Sequence, residues 1–229
     1  MNRRFGTAPA NGTADQKRLA QWLVLVGVLA VLGYGARIGS GKPDPQVLYR
    51  WSTAVGGLVQ DAVVLALVLA IARRAWPLLA LRLPRSVSRA TLFVAVAVVA
   101  VIVFEAVYAH LVDPGNEQGL TPDRWEPAHA AAYIGNAIVI CTWVPFVEEL
   151  TYRGLGYSLL ERLGRGWAIF AVGLLFGLAH GLVLSLPVIV AFGCALAWVR
   201  AETDSVLPGM FAHALFNAVA LVAAVTIGS

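Results

Sequence analysis

Apolar runs of membrane-crossing length alternate with short polar breaks along this 229-residue chain. A helical span needs about 20 predominantly apolar residues at a rise of about 1.5 Å each. The runs from Leu19 to Ile38, Ser52 to Ala72 and Ala90 to Val112 meet that length and predict three spans. Polar residues precede the first, among them Arg3, Arg4, Lys17 and Arg18. That run exceeds a signal-peptide core of about 7–15 residues and no small-x-small cleavage site follows, so it is expected to stay as an uncleaved span. Lys42, Pro43, Asp44 and Pro45 break the first run from the second, and an arginine-rich loop from Arg73 to Arg89 with Pro77 and Pro84 separates the second from the third. An acidic loop follows, with Asp113, Glu117, Asp123 and Glu126 beside a Pro114-Gly115 turn signal. A fourth helix is predicted from Pro127 to Leu163, with Pro145 bending or loosening it one turn before Glu148. Further spans are predicted over Gly166–Leu184, Leu186–Val199 and Val206–Ile227, the middle one short enough to be tilted or re-entrant. The expected fold is an all-α polytopic transmembrane bundle of about seven spans, with six to eight allowed by the length.

Composition agrees with the pattern. Hydrophobic residues make up 59% of the chain and charged residues 13%, with a mean hydropathy of +0.75. A soluble domain carries roughly 25% charged residues. The net charge of +4 reflects basic loops between apolar runs, which marks topology and the lipid bilayer as partner, not a nucleic acid. Twelve basic residues fall on one side if the N-terminus is cytoplasmic: Arg3, Arg4, Lys17, Arg18, Arg73, Arg74, Arg82, Arg85, Arg89, Arg162, Arg165 and Arg200. Arg37, Lys42, Arg50 and Arg124 fall on the other. The N-terminus is therefore expected inside and the acidic loop outside. Abundant Ala, Val, Arg and Gly resembles a high-GC bacterial composition, so a bacterial inner membrane is expected. Cys141 and Cys194 lie inside apolar runs without metal-site spacing and are expected to be free thiols.

Charges inside a span narrow the picture. On insertion scales a charged residue at the bilayer centre costs about 2.5–3.5 kcal/mol, so such groups have partners or a use. Counting 1.5 Å per residue inward from the cytoplasmic side puts Glu148, Glu149 and His180 roughly 20 Å deep, His213 about 12 Å and Asn217 about 18 Å. Glu149 and Arg153, Phe176 and His180, and His213 and Asn217 are each four residues apart, so each pair shares a helix face. Three helices thus bring polar groups to overlapping depths. A carboxylate that takes a proton from water, beside donors able to hold an oxyanion, is equipment for attacking a peptide carbonyl.

Glu148-Glu149-Leu150-Thr151-Tyr152-Arg153 fits EExxxR, Phe176-Gly177-Leu178-Ala179-His180 fits FxxxH, and His213-Ala214-Leu215-Phe216-Asn217 fits HxxxN. In that order on separate membrane helices, over residues 130–227, they resemble the three motifs of the CPBP family. That family comprises the CAAX-processing and bacteriocin-processing intramembrane endopeptidases, also called the Abi family. The resemblance implies a division into a cytoplasmic tail (1–18), motif-free membrane helices (19–125) and a catalytic membrane core (126–229). It implies that Glu148 activates the attacking water and His180 orients or polarises it. His213 and Asn217 would stabilise the oxyanion, while Glu149 and Arg153 hold the first glutamate in place or Glu149 shares directly in the reaction. The implied substrate is a membrane-associated protein or peptide: a prenylated C-terminus, a secreted-peptide leader or a C-terminal sorting signal. Family members have been described as glutamate-dependent and as metalloproteases. Glu148, Glu149, His180 and His213 are the residues that would ligate zinc, but no HExxH places two histidines on one helical turn, and the glutamate reading without a required cofactor is preferred.

Rival readings are an ion- or proton-coupled transporter and a non-catalytic immunity or adaptor protein. No paired Gly/Pro-broken helices in corresponding halves support the transporter. Phe176 is expected to shape the site by packing. Asp61 and Glu105 are expected in local polar pairing or an outer-side water cavity, and His110 and His129 in solvent. Trp51, Trp76, Trp125 and Trp167 fall near span ends as interfacial anchors. The Arg73–Arg89 loop is a topology signal first and a lipid-facing surface second.

Overall fold

The computed structural model describes residues 12–40, 44–113, 115–122 and 124–226. Arg3 and Arg4, Lys42 and Pro43, Pro114, Asp123 and the end of the last predicted span at Ile227 lie outside the described residues. Among the described residues every regular element is helical. Helix α1 runs Gly12–Ser40, α2 Trp51–Ala72 and α3 Val87–Ala109. A continuous helical run, α4, covers Pro127–Leu163. It is followed by α5 Arg165–Ala179, α6 Leu186–Thr203 and α7 Leu207–Thr226. Six of these are long and apolar enough to cross a membrane, and α5 is a shorter apolar helix of 15 residues. The protein is a multi-pass integral membrane helix bundle.

After α4, two boundaries differ from the apolar pattern. The short span is α5, not α6: α6 continues to Thr203, whereas α5 stops at Ala179 instead of Leu184. Gly181 turns the chain with φ +65°, and a Cβ at Gly33 of α1 would lie 2.7 Å from the Ala179 carbonyl oxygen. Close approach of α1 thus ends α5 where helix dihedrals would collide with it. The turn beyond His180 is clasped from the other elements. Tyr34 donates to the Leu182 carbonyl at 2.9 Å and Tyr108 to the Leu184 carbonyl at 2.7 Å. The Glu117 carboxylate accepts from the backbone N–H groups of Val183, Leu184 and Ser185 at 3.0, 3.1 and 2.6 Å, and pairs with Arg37 at 2.6 Å. Burial pushes the Glu117 carboxyl up, but those donors from residues 183–185 outweigh it and hold it below the usual carboxylate range.

Charged groups collect at the two ends of the bundle. At one end Arg18 and Arg162 meet Asp15, Arg82 and Arg200 meet Asp204, and Arg165 meets Glu202. At the other, Arg37 meets Glu117, Arg50 meets Asp44, and Arg124 and His129 meet Glu126. The described residues carrying the basic excess are thus gathered at the end expected to be cytoplasmic. Trp51, Trp76, Trp125 and Trp167 are exposed, as interfacial anchors require, and both cysteines are free thiols.

Candidate active site

Helix α4 is not uniform. Two π-helical stretches, Val139–Trp143 and Leu150–Gly156, bracket the α-helical turn Val144–Glu149 that carries the two glutamates. Pro145 has no N–H for the carbonyl one turn back, so the ladder is already weakened there. Threonine back-bonds accompany both stretches: Thr142 donates to the Ile138 carbonyl at 2.6 Å and Thr151 to the Val147 carbonyl at 2.7 Å. Side chains from other helices then occupy carbonyls of the π turns. Asn217 of α7 donates to Ile140 at 2.8 Å, and Trp22 of α1 donates to Thr151 at 2.9 Å. Unladdered backbone carbonyls inside a bilayer need such partners, and π turns are frequent at functional sites. The chain around the glutamates is therefore shaped by α1 and α7 as much as by its own sequence.

The glutamates have different surroundings. Glu149 and Arg153 form an ion pair at 2.9 Å, with both side chains at 0% exposure. The second guanidinium nitrogen of Arg153 donates to the Gly193 carbonyl at 3.1 Å, and the group lies 4.2 Å from the centre of the Phe176 ring. His213 Nδ1 is 3.1 Å from the same Glu149 oxygen. The other oxygen faces Gly209, where a Cβ would stand 2.7 Å away. Glu149 is thus a fixed electrostatic post with no room around it. Glu148 is 23% exposed and lies 3.6 Å from His213 Nε2 and 4.0 Å from His180 Nε2. His180 Nδ1 is 2.8 Å from the Phe176 carbonyl, so that nitrogen carries a proton, and Nε2 faces Glu148. The Phe176 ring stands 4.6 Å from the His180 ring centre and 5.9 Å from that of His213, spacing the two imidazoles.

The structure brings Glu148, Glu149, Arg153, His180 and His213 into one connected cluster. Asn217 makes no hydrogen bond to that cluster among the described residues. It lines the same cavity of about 190 Å³, with Glu148, His180, His213, Phe176 and Phe216, and braces α4 through Ile140. A second cavity of about 310 Å³ opens on Glu148 and His180 from the other side, between α1 and α2. Glu148 and His180 are common to both cavities and are reached from each.

Three residues the motif spacing did not single out belong here. Asp61, expected in a local polar pair or an outer-side water cavity, lines the larger cavity and has no such pair: its Oδ2 is buried without a hydrogen bond among the described residues. Tyr152, inside the first motif, also lines this cavity with its hydroxyl unpaired among them. Gly209 lies four residues before His213, a spacing that puts it on the histidine face of α7. Glu105 lines an apolar groove between α3 and α7, away from the cluster. His110 is exposed, and His129 is exposed with Glu126 as its partner.

Of the four residues that would ligate zinc, Glu149 is not free to do so. A catalytic zinc takes three protein ligands at about 2.0–2.2 Å with one position open. Glu149 is already engaged by Arg153 and His213. Among the described residues no three His, Cys, Asp or Glu side chains are grouped so as to hold a metal ion.

A polytopic membrane bundle with a buried acid–histidine cluster at the junction of two cavities is the class of protein that fold and site define. Residues 130–219 match the family model described as Rce1-like, type II CAAX prenyl endopeptidase Rce1-like. Over those residues the chain is similar to that family of proteases, in agreement with the resemblance of its three motifs to the CPBP family. No curated protein and no solved structure matches the chain.

Proposed function

We propose that this protein is a glutamate-dependent intramembrane endopeptidase acting on a membrane-associated protein or peptide. The observation that carries the reading is the asymmetry of the two glutamates: Glu148 is open to both cavities between two histidine nitrogens, while Glu149 is sealed against Arg153. In this reading Glu148 takes a proton from water as the water oxygen attacks the substrate carbonyl carbon. His180 Nε2 accepts the second hydrogen bond of that water and orients it. The carbonyl oxygen becomes an oxyanion on the side of His213 and Asn217, where N–H donors stabilise it. The carbon–nitrogen bond then breaks, and the proton held by Glu148 passes to the leaving nitrogen. Glu149 and Arg153 position His213 and the turn that carries Glu148, and no cofactor is required. The substrate is a prenylated C-terminus, a secreted-peptide leader or a C-terminal sorting segment, reaching the cluster through the two cavities.

The test is expression of the chain with membrane and secreted products of its neighbouring genes, followed by mass spectrometry of the products. Truncation is expected with the wild type and lost in Glu148→Ala and His180→Ala variants that still insert and fold. Truncation by Glu148→Ala at the wild-type rate would remove Glu148 as the base. Ion flux in proteoliposomes that depends on Glu149 would favour a transporter instead.

A further inference from the structure

Asp61 lies near the middle of the 22-residue α2, about 15 Å from either helix end. An acid at that depth needs a complement. No salt bridge to Asp61 occurs among the described residues, and its Oδ2 is buried without a partner. The cation that shares this part of the bundle, Arg153, is spent on Glu149 and the Gly193 carbonyl. The cavity that Asp61 lines holds about 310 Å³, and the aliphatic side chains of Leu29, Leu32 and Val64 share its wall with Gln60, Glu148 and His180. A cavity with an aliphatic wall and an unpaired carboxylate in it has the profile of one kind of side chain. Lysine and arginine have an apolar stem and a charged tip, and bury the stem while the tip finds its partner.

We infer that Asp61 determines substrate specificity: it receives the cationic tip of a lysine or arginine that fills the α1–α2 cavity while a neighbouring peptide bond lies at Glu148. This rests on the proteolytic reading of Glu148 for what happens next, but the recognition is a binding property and is measured without cleavage. Asp61 touches the substrate side chain and takes no part in the bond exchange.

The test uses the full chain in zwitterionic lipid nanodiscs, carrying Glu148→Gln so that peptide is not consumed and no second open carboxylate competes. Short apolar peptides differing only in one lysine or one norleucine, moved through each position in turn, compete against a fluorescent copy of the lysine peptide. At one register the lysine peptide is expected to bind about tenfold tighter or more, the range of a charge-assisted hydrogen bond. Adding Asp61→Asn should bring the ratio to about one, and Asp61→Glu should restore it. A residue that merely supported the fold would alter both affinities and leave their ratio unchanged. Equal binding of lysine and norleucine peptides at every position, a preference that survives Asp61→Asn, or no binding of any lysine peptide would overturn the inference. None of these results bears on Glu148-dependent truncation, so failure here and failure of the proteolytic reading are distinct.

Discussion

Replacing Arg153 by methionine tests the post on which the cluster stands. The substitution keeps an apolar stem but removes the cation from Glu149, whose side chain is fully buried. Breaking a buried ion pair from one side costs about 3–5 kcal/mol because a charge is left without its counterpart. The Gly193 carbonyl also loses its donor, at about 1–3 kcal/mol for a buried acceptor. Glu149→Gln strands the guanidinium in the same way. The double variant Arg153→Met with Glu149→Gln removes both charges, and replacing a buried pair by neutral groups is often close to neutral. The two single losses together should therefore exceed the double loss by at least about 2–3 kcal/mol, the upper end of measured couplings. Equilibrium unfolding in mixed micelles, followed by intrinsic tryptophan fluorescence, measures all four corners of the cycle. Additivity within about 0.5 kcal/mol, the behaviour of independent sites, would refute the claim that this pair is an electrostatic unit. Retained activity in the double variant would further show that Glu149 and Arg153 position nothing the reaction uses.

Gly209→Ala should destabilise by about 1–3 kcal/mol, the usual penalty of overpacking, and slow cleavage, because the Glu149 carboxylate 2.7 Å from the new Cβ is pinned by Arg153 and His213 and cannot swing aside; a thermal melt together with a rate reads both. Asn217→Ala should lower stability by about 1–3 kcal/mol through the stranded Ile140 carbonyl, measured in the same unfolding assay. Glu117→Gln should raise hydrogen exchange at residues 183–185, whose N–H groups it now receives. The wild-type clasp has a signed pH dependence: the folded Glu117 carboxyl lies below its ordinary value, so the stabilisation is fully present above the unfolded value of about 4.3 and is lost as pH falls through the lower folded value. Protection at 183–185 that stayed constant to strongly acid pH in the wild type would contradict this.

The spans were legible because apolar length is a local property. The start of α4 at Pro127 and its end at Leu163 could both be read from the chain, and so could the weakness at Pro145. The π stretch that follows the glutamates was not, since its carbonyl at Thr151 is taken by Trp22, far away in sequence. The early end of α5 was hidden for the same reason: the apolar run continues to Leu184, while the stop comes from Gly33 and the Glu117 clasp. Depth counting put Glu148, His180 and His213 at compatible levels, and helix spacing gave the Glu149–Arg153 contact. Neither says which way a lone acid on another helix faces, so the chain left Asp61 between a local pair and a water cavity and did not join it to the cavity of Glu148 and His180. Gly209 carried a readable sign in its four-residue offset from His213, although a glycine near a helix start has simpler explanations.

The claim at the centre of this account is that Glu148 activates the water, and a single-turnover rate on a verified substrate in nanodiscs tests it most directly. General-base catalysis contributes about 10²–10⁴-fold, so Glu148→Gln, closely matched in size, should slow cleavage by at least about a hundredfold with peptide affinity retained. A Glu148→Gln rate equal to wild type would contradict the account, whatever the stability data showed.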